Sequence, residues 1–332
     1  MKLDCIKKNL LWNDVWKIKM DKSIIITVAV ITYNPVWEKF RNTLRSIIWQ
    51  KNVSFEIVIA DDGSENNCLD KVEEFFKEQN FSNYRLVKNP VNQGIVKNVL
   101  SAVNIARGKY IKLISPGDFL YDENTLEEVI GFAEKNPAAL YFGNMFYYSI
   151  DENKSITIYK DKKNPRDLRP WKNHNMKQIK RNYLVDCDYI CGAVSMYNTK
   201  KLSEYLNKIA PFVIFAEDCS MIYMIANNEP VYYMNIRGGV WYECGSGIST
   251  QKSNEWNLRI VNDNKNLFAH LLNENLIKKW VYIIHFSENK LQRRLLRLIH
   301  NPLSYLNKFL PEKTKGYEDI DCDINKLKKI LQ

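Results

Sequence analysis

The stretch from Phe55 to Ser64 constrains the fold more than any other part of the chain. Its first half is a short apolar run, which is typical of a strand that is buried on both faces of a parallel sheet. Its second half, Asp61-Asp62-Gly63-Ser64, is polar and contains a glycine, so the strand is predicted to end there in a turn. The carboxyl ends of such strands face the ligand crevice. The two carboxylates are therefore either ligand contacts or caps of the following helix.

The same pattern recurs on both sides of this stretch. Further strands are predicted at 24–31, 85–88 and 110–114, and segments with helical spacing separate them. Alternating strands and helices predict right-handed βαβ units and a parallel sheet. The last strand ends in Ser115-Pro116-Gly117-Asp118, so acidic turns near residues 61 and 115 are expected at one edge of the sheet. Gly108 is expected to cap the helix between the last two strands.

Composition narrows the classes of function. The seven cysteines are odd in number and show no paired spacing, and only four histidines are present. We therefore expect no zinc site, and we expect the protein to reside in a reducing cytoplasm. The segment 1–20 lacks an apolar signal core, although 5–20 has the spacing of an amphipathic helix. No run approaches the roughly 20 apolar residues that span a bilayer. The net charge of +10 favours an anionic partner.

The segment 276–310 carries apolar stripes separated by cations. Nine Lys and Arg stand against two Glu between residues 276 and 315, which leaves a net charge of +7. This pattern predicts docking on anionic lipid at the inner face of the cytoplasmic membrane. The alternative is that the stripes pack against the rest of the chain or a partner subunit. A nucleic-acid partner is not predicted, because the cations do not interleave with aromatic residues.

Six segments of the chain together resemble the family 2 glycosyltransferases. Four stand in the first half, and two follow as Ala-Glu-Asp at 216–218 and Gly-Ser-Gly-Ile-Ser at 245–249. The first four are Val-Ile-Thr-Tyr-Asn at 30–34, Glu-Ile-Val-Ile-Ala-Asp-Asp-Gly-Ser at 56–64, Asn-Gln-Gly at 92–94 and Gly-Lys-Tyr-Ile at 108–111. The resemblance covers roughly residues 24–250. The sequence contains neither a phosphate-binding loop nor a dinucleotide fingerprint, so it does not support a P-loop protein or a dehydrogenase.

The resemblance implies an α/β fold of the GT-A type, a Rossmann-like mixed sheet flanked by helices. The apolar spacing after residue 250, where the resemblance fades, predicts a C-terminal helical extension. Three parts are expected. They are an N-terminal helical extension at 1–22, a glycosyltransferase domain at 23–250 with a nucleotide-binding half (23–120) and an acceptor half (121–250), and a basic amphipathic region at 251–332. The polar segment 150–180 is expected to form a loop or lid beside the acceptor, where Trp171 either stacks on a sugar or packs inside.

The resemblance also assigns the nucleotide contacts. The residues concerned are Thr32, Tyr33, Asn34, Asp62, Gly94 and Lys97. Tyr33 would lie against the base, because a phenol ring offers a stacking face, and Asp62 would accept hydrogen bonds from the base or ribose. The alternative for Tyr33 is packing on its own sheet. The donor implied is a nucleoside-diphosphate sugar, with UDP as the expected nucleotide.

A divalent metal, manganese or magnesium, is implied at Asp118. The chain departs from its relatives here, because Ser115-Pro116-Gly117-Asp118 replaces a cluster of acidic residues. One carboxylate can suffice, since magnesium often binds through one or two carboxylates together with phosphate oxygens. The alternative is a turn in which Asp118 caps the next helix.

Glu217 and Asp218 are the predicted catalytic residues. Asp218 is expected to act as the base that takes the acceptor proton, and Glu217 to orient the loop or touch the acceptor. The alternative is that both only favour the start of a helix. Trp241 is predicted to contact the acceptor, and Glu243 is predicted to contact either the acceptor or the metal. The resemblance thus implies an inverting glycosyltransferase of bacterial surface polysaccharide synthesis that acts on a saccharide or lipid-linked acceptor. The competing hypothesis is a sugar-nucleotide-binding protein without catalysis, with a degenerate metal motif.

Overall fold

The computed structural model describes residues 24–244, 254–307, 309–311, 315–318 and 322–332. The predicted helix at 5–20 and the motif at 245–249 lie outside these residues. The strands are β1 (Ile26–Thr32), β2 (Phe55–Asp61), β3 (Tyr84–Lys88), β4 (Tyr110–Ile114), β5 (Phe119–Leu120), β6 (Leu140–Phe142), β7 (Asn144–Ile150), β8 (Ile156–Tyr159), β9 (Ser195–Asn198), β10 (Val231–Tyr233) and β11 (Gly239–Glu243). 

Helices flank these strands and fill the C-terminal part of the chain. They are α1 (Trp37–Ile48), α2 (Leu69–Glu78), α3 (Ile95–Ile105), α4 (Thr125–Lys135), α5 (Arg169–Lys172), α6 (Met176–Asp186), α7 (Thr199–Ile209), α8 (Cys219–Ala226), α9 (Asn254–Asn273), α10 (Lys279–Phe286), α11 (Lys290–His300), α12 (Pro302–Asn307) and α13 (Ile324–Leu331).

The central sheet is mixed, as predicted. Among the described residues its strand order is β10-β6-β9-β4-β1-β2-β3. β1 pairs in parallel with β2 and β4, and β2 pairs in parallel with β3, whereas β9 runs antiparallel to β4 and β6. The interior of β1 is fully buried, which explains its continuous apolar sequence. The carboxyl ends of β1, β2 and β4 therefore meet at one edge.

A smaller sheet lies beside this edge, with the order β5-β11-β7-β8. The aromatic-rich segment 140–148 is divided between two sheets, because the chain changes sheets at Gly143: β6 pairs with β9 and β7 pairs with β11. In the segment 190–197, Gly192–Val194 forms a 3-10 turn before β9 begins. The second sheet matters for the site because it carries Glu243.

Two local predictions about caps are corrected. Helix α3 ends at Ile105, and Gly108 lies beyond its cap, where a Cβ atom would come 2.4 Å from the backbone nitrogen of Thr27. Gly108 is thus required by a close approach of two backbones. Asp61 and Asp62 do not cap α2, whose N-cap residue is Cys68.

The C-terminal part divides into packed and unpacked helices. α9 packs into the core, and the carboxylate of Asp263 accepts hydrogen bonds from the backbone N–H groups of residues 214–216. α10 buries Val281 and Ile284, and α13 buries Leu327 and Ile330 against an aromatic cluster. α11, in contrast, has no buried residue. Within the described residues no helix is long and apolar enough to cross a membrane.

Candidate active site

The turn after β2 is held by the carboxylate of Asp61. Its Oδ2 accepts the backbone N–H of Ser64 at 2.9 Å, and its Oδ1 accepts the hydroxyls of Ser64 and Thr32 at 2.5 and 3.2 Å. The Ser64 hydroxyl oxygen also accepts the backbone N–H of Asn34 at 2.7 Å. Asp61 and Thr32 are both buried. Asp61 therefore fixes the turns after β1 and β2 relative to one another.

Asp62 connects this turn to the start of α3. Its Oδ1 accepts the backbone N–H of Gln93 at 3.0 Å and the amide of Asn89 at 3.1 Å, and its Oδ2 accepts the backbone N–H of Gly94 at 2.9 Å. Gly94 has φ +90°, and a Cβ atom there would lie 2.4 Å from the side chain of Ile214. Glycine is therefore required at this position. The carboxylate is buried, so hydrogen bonds to the protein occupy much of its capacity.

The other predicted nucleotide contacts surround this turn. Tyr33 follows β1 with 51% of its surface exposed, so part of its ring is accessible. Asn34 adopts the left-handed conformation, with φ 46°. Lys97 is exposed on the first turns of α3. An accessible ring, a fixed turn and a cation thus lie around the edge where β1 and β2 end.

Asp118 lies in a turn that joins β4 to β5. Gly117, with φ +105°, donates its N–H to the hydroxyl of Thr43 at 3.0 Å, and the Tyr148 hydroxyl donates to the Gly117 carbonyl at 2.7 Å. Asp118 therefore does not cap the next helix, whose N-cap residue is Asn124. Burial raises the pKa of Asp118 to about 7, although Lys112 and the backbone N–H of Glu243 oppose the rise.

Two lysines surround this carboxylate. Lys39 on α1 pairs with Glu243 at the end of β11, at 2.7 Å between Nζ and Oε2. Lys112 on β4 is buried, and its Nζ donates to the carbonyls of Leu113, at 3.0 Å, and Ala193. Burial lowers the pKa of Lys112 to about 8. Neither lysine was singled out from the sequence, although a lysine within the apolar strand Ile111–Ile114 is a usable signal.

The residues around Asp118 fit a hard divalent cation. The carboxylates of Asp118 and Glu243 lie close enough for the charge of Glu243 to raise the pKa of Asp118. Two carboxylates with phosphate oxygens form a typical donor set for magnesium or manganese. No cluster of three or more metal-ligating side chains occurs in the described residues. Such a cation would therefore depend on the ligand's own oxygens.

Glu217 and Asp218 lie immediately before α8, half-buried. Asp218 occupies the N-cap position of this helix, yet its side chain makes no capping hydrogen bond. Burial raises the pKa of both carboxyl groups, and the charge of Asp218 raises that of Glu217 further. The helix-start alternative therefore gains no support from the geometry of Asp218.

The carboxylate of Asp218 faces the 3-10 turn at Gly192. Its Oδ1 is buried without a hydrogen-bond partner among the described residues, although the backbone N–H of Gly192 lowers its pKa somewhat. A Cβ atom at position 192 would lie 2.5 Å from this Oδ1. Glycine thus leaves room for the carboxylate, and the sequence alone gave no signal for this contact.

Cys191 connects the two acidic centres. Burial raises the pKa of its thiol to about 12, and the charges of Asp218 and Asp118 both add to the rise. Its thiol therefore lies near both the carboxylate of Asp118, after β4, and that of Asp218, before α8.

The two tryptophans predicted beside the acceptor are packed inside. The side chain of Trp241 has no exposed surface, stacks on Tyr121 and donates its Nε1–H to the Tyr121 carbonyl at 3.2 Å. Trp171 is likewise buried, against Phe142. A ring without an exposed face cannot stack on a sugar, so we assign both residues a packing role. The pairing of Trp241 with Phe146 across two strands fixes β11 and hence Glu243.

Known structures share this fold. Over 92% of this chain and 80% of the other, the structure superposes on S. aureus TarS 1-349 in complex with UDP-GlcNAc, with a TM-score of 0.54 and 17% identity. Over 92% of this chain and 89% of the other, it superposes on the mannosyltransferase PcManGT from Pyrobaculum calidifontis in complex with GDP-Man and Mn2+, with a TM-score of 0.53 and 13% identity. The predicted GT-A fold is thereby confirmed.

Sequence relatives agree with the structural neighbours. An uncharacterized glycosyltransferase, MJ1057 of Methanocaldococcus jannaschii, is 31% identical over 51% of this chain and 53% of its own length. The glycosyltransferase GlyG of Streptococcus pneumoniae is 27% identical over 40% of this chain and 42% of its own length. The chain thus spans about half the length of these relatives. The family described as Glycosyl transferase family 2 matches residues 27–206, more than half of the chain. The chain therefore belongs to glycosyl transferase family 2.

Proposed function

We propose that this chain is an inverting glycosyltransferase that moves a sugar from a nucleoside-diphosphate sugar to a hydroxyl of a saccharide or lipid-linked acceptor. The observation that carries the proposal is the carboxylate of Asp218, which is buried at Oδ1 without a partner in the described residues. Charge that the fold leaves uncompensated is typical of a group that acts in chemistry. Family membership supports the reaction class. A place in bacterial surface polysaccharide synthesis in the cytoplasm belongs to the same proposal.

The donor nucleotide is proposed to bind at the carboxyl ends of β1 and β2. The exposed ring of Tyr33 supplies a stacking face for the base. Asp62 accepts hydrogen bonds from Gln93, Asn89 and Gly94, and the remaining lone pair of its Oδ2 would accept from the base or the ribose. Thr32 and Asn34 shape the turn, and Lys97 adds a cation. Structures of the same fold were solved with UDP-GlcNAc and with GDP-Man, and we propose UDP.

A divalent cation is proposed to be held by Asp118, with Glu243 as a second carboxylate. When bound, it would neutralise charge that develops on the leaving diphosphate. Asp118 and Glu243 would position the donor whose phosphate oxygens complete the coordination. Lys39 holds Glu243 in place through their ion pair. A mannosyltransferase of the same fold was solved with Mn2+.

Asp218 is proposed to be the general base. Its carboxylate takes the proton of the acceptor hydroxyl, and the hydroxyl oxygen forms a bond to the anomeric carbon. The bond from that carbon to the diphosphate oxygen breaks on the opposite face, and the diphosphate leaves with the electron pair. Attack opposite the leaving group inverts the anomeric configuration. Glu217, beside the base, would orient the loop or contact the acceptor.

A second function has one observation in its favour. The turn Ser115-Pro116-Gly117-Asp118 contains a single carboxylate, and the described residues contain no cluster of three metal-ligating side chains. A sugar-nucleotide-binding protein without catalysis would need no such cluster. Turnover separates the two functions, since a binding protein holds the nucleotide sugar intact.

A panel of nucleotide sugars tests the proposal. Each donor is incubated with the full chain in the presence of manganese or excess chelator, and release of the nucleoside diphosphate is measured. We expect one donor to be consumed, faster with an acceptor sugar, and only with the metal. Binding of nucleotide without turnover of any donor would favour the second function. Full turnover in chelator would mean that Lys39 and Lys112 neutralise the leaving group and that Asp118 is a turn residue.

The proposed acceptor site is served by a membrane-docking surface on α11 and α12. Leu291, Leu295 and Leu298 follow one face of α11 and are 68%, 50% and 46% exposed. Leu303 and Leu306 extend this row on α12 and are also exposed. Lys290 and Arg294 flank the row, whereas Arg293 turns inward and donates its Nε–H to the Ile284 carbonyl at 2.8 Å. An apolar row beside cations suits anionic headgroups and acyl chains.

Vesicle co-sedimentation checks this surface. Replacing Leu291 and Leu295 together by serine should weaken binding to anionic vesicles by at least about tenfold, because each buried methylene contributes about 0.8 kcal/mol. Leu258→Ser is the matched control, since Leu258 is equally exposed, at 68%, on α9. Equal binding of the double variant and the wild type would assign the row to a protein partner or to no partner.

A further inference from the structure

A cavity lies beside the small sheet, away from the residues assigned so far. It has a volume of about 340 Å³ and lies between the β7–β8 hairpin and Tyr317, Glu318 and Cys322. Three lysines contribute to its lining, Lys160, Lys162 and Lys163, together with tyrosines from several elements. The volume lies within the range of small-molecule sites. The cavity is separate from the edge where β1 and β2 end.

The lysines of this cavity have no carboxylate partner within ion-pair distance among the described residues. The Nζ of Lys162 donates to the Sγ of Cys244 at 3.2 Å. Glu318 also lines the cavity, but it pairs with Lys172 at 2.7 Å. Three lysines therefore line a cavity whose one described acidic neighbour is already paired. Such a surface attracts an anion.

Aromatic rings hold the lysines in position. The Nζ of Lys162 lies 4.4 Å from the ring centre of Tyr159 and 5.7 Å from that of Tyr147, and the Nζ of Lys163 lies 5.4 Å from that of Tyr317. Cation–π contacts restrict where the ammonium groups can go. Tyrosine faces also suit the apolar face of a sugar ring. The cavity thus combines positions for a phosphate and for a saccharide.

The cavity is connected to the proposed base. Asn164 lines it and accepts the backbone N–H of Cys191 at 2.6 Å, and Cys191 precedes Gly192, which faces Asp218. Tyr147 lines the same cavity, and the charge of Cys191 contributes to raising its pKa. The cavity therefore lies on the same side as the proposed base, and only the segment 191–192 separates it from the carboxylate of Asp218.

We propose that this cavity binds a phosphate group of the acceptor, so that the acceptor is a phosphate-bearing saccharide. The inference rests on the proposed function for the meaning of the acceptor side. Lysine ammonium groups act as point charges that suit phosphate, which carries more charge than a single carboxylate. The donor's diphosphate has its own place at the other edge, so a second anion site is left for the acceptor.

Calorimetry tests the inference with three small probes. The full chain is first saturated with UDP, which fills the donor site, and is then titrated with glucose 1-phosphate, glucuronic acid or glucose. We expect the phosphate to bind at least about tenfold more tightly than glucose and more tightly than glucuronic acid. Binding of the phosphate should weaken as salt increases. Replacing Lys162 and Lys163 together by alanine should remove the preference for phosphate.

Lys154→Ala is the matched control, because Lys154 belongs to the same hairpin but does not line the cavity. Equal binding of the three probes, tighter binding of glucuronic acid, or an unchanged phosphate affinity in the double lysine variant would overturn the inference. Absence of UDP binding in the first step would instead contradict the proposed donor site, and the probe titrations would still report on the cavity.

Discussion

The two acidic pairs Asp61–Asp62 and Glu217–Asp218 resemble each other in sequence and differ in their hydrogen bonds. Asp61 accepts three hydrogen bonds and Asp62 accepts three, all from groups that the fold has placed there. Oδ1 of Asp218 accepts none from the described residues. Burial raises the pKa of both Glu217 and Asp218.

The difference separates a structural use of a carboxylate from a chemical one. Hydrogen bonds from backbone N–H groups stabilise the charged form of a carboxylate, and the same hydrogen bonds hold the turn in one conformation. A buried carboxylate with few partners keeps its basicity, at a cost to folding stability. The pair Asp61–Asp62 holds the turns of the proposed donor site, whereas the pair Glu217–Asp218 supplies the proposed base beside the acceptor. The predictions below follow from this comparison.

The largest change in stability is expected for Asp61. Asp61→Ala removes a fully buried acceptor and leaves the Ser64 N–H and the hydroxyls of Ser64 and Thr32 without their partner. We expect a loss of about 3 kcal/mol in the free energy of unfolding. Urea denaturation measures it. Asp70→Ala, on the exposed first turn of α2, should change stability by less than about 0.5 kcal/mol. A loss of that small size at Asp61 would contradict the structural role.

Substitution of Asp62 is expected to affect both the turn before α3 and the affinity for nucleotide. Asp62→Ala should free the backbone N–H groups of Gln93 and Gly94 and weaken nucleotide binding by about tenfold or more, which corresponds to the 1.5–3 kcal/mol of a charged hydrogen bond. Calorimetry with UDP measures the affinity. Unchanged affinity in a folded variant would limit Asp62 to the turn.

The smallest effect is expected for variants of Glu217 and Asp218, and it is a gain in folding stability rather than a loss. A carboxyl pKa raised by folding adds stability that is fully present below the unfolded pKa and is lost as pH rises through the folded pKa. Asp218→Asn removes that loss. The variant should therefore match the wild type near pH 4 and exceed it at pH 8, by on the order of 1 kcal/mol. Thermal unfolding at both pH values checks this. A variant that is less stable at pH 8 would mean that the charge of Asp218 is well compensated.

The fold could be predicted because its signals are local. The apolar runs of β1 and β2 and the turns that follow them are contiguous in sequence, and they alone indicate a parallel sheet. Asp62 and Asp118 were found for the same reason, since each lies in the turn after a strand. The change of sheets at Gly143 depends on which strands β6 and β7 pair with, and no local pattern shows it.

The environment of the site could not be predicted, because its contacts join distant segments. Gly192 faces Asp218 across 26 positions of sequence, and Lys39 pairs with Glu243 across 204. Trp241 was predicted to contact the acceptor, but its position in the strand turns its side chain into the aromatic cluster. Residue type indicates what a side chain can do, and only packing decides which face it presents.

The most direct test of the account measures Asp218→Asn in two assays at the same pH. The substitution keeps the shape of the side chain and removes its basicity. The account predicts that UDP affinity is unchanged and that sugar transfer falls by at least about a hundredfold, the size typical of a lost general base. Transfer at a near wild-type rate in Asp218→Asn, with Glu217→Gln inactive, would contradict the assignment and give the role of base to Glu217.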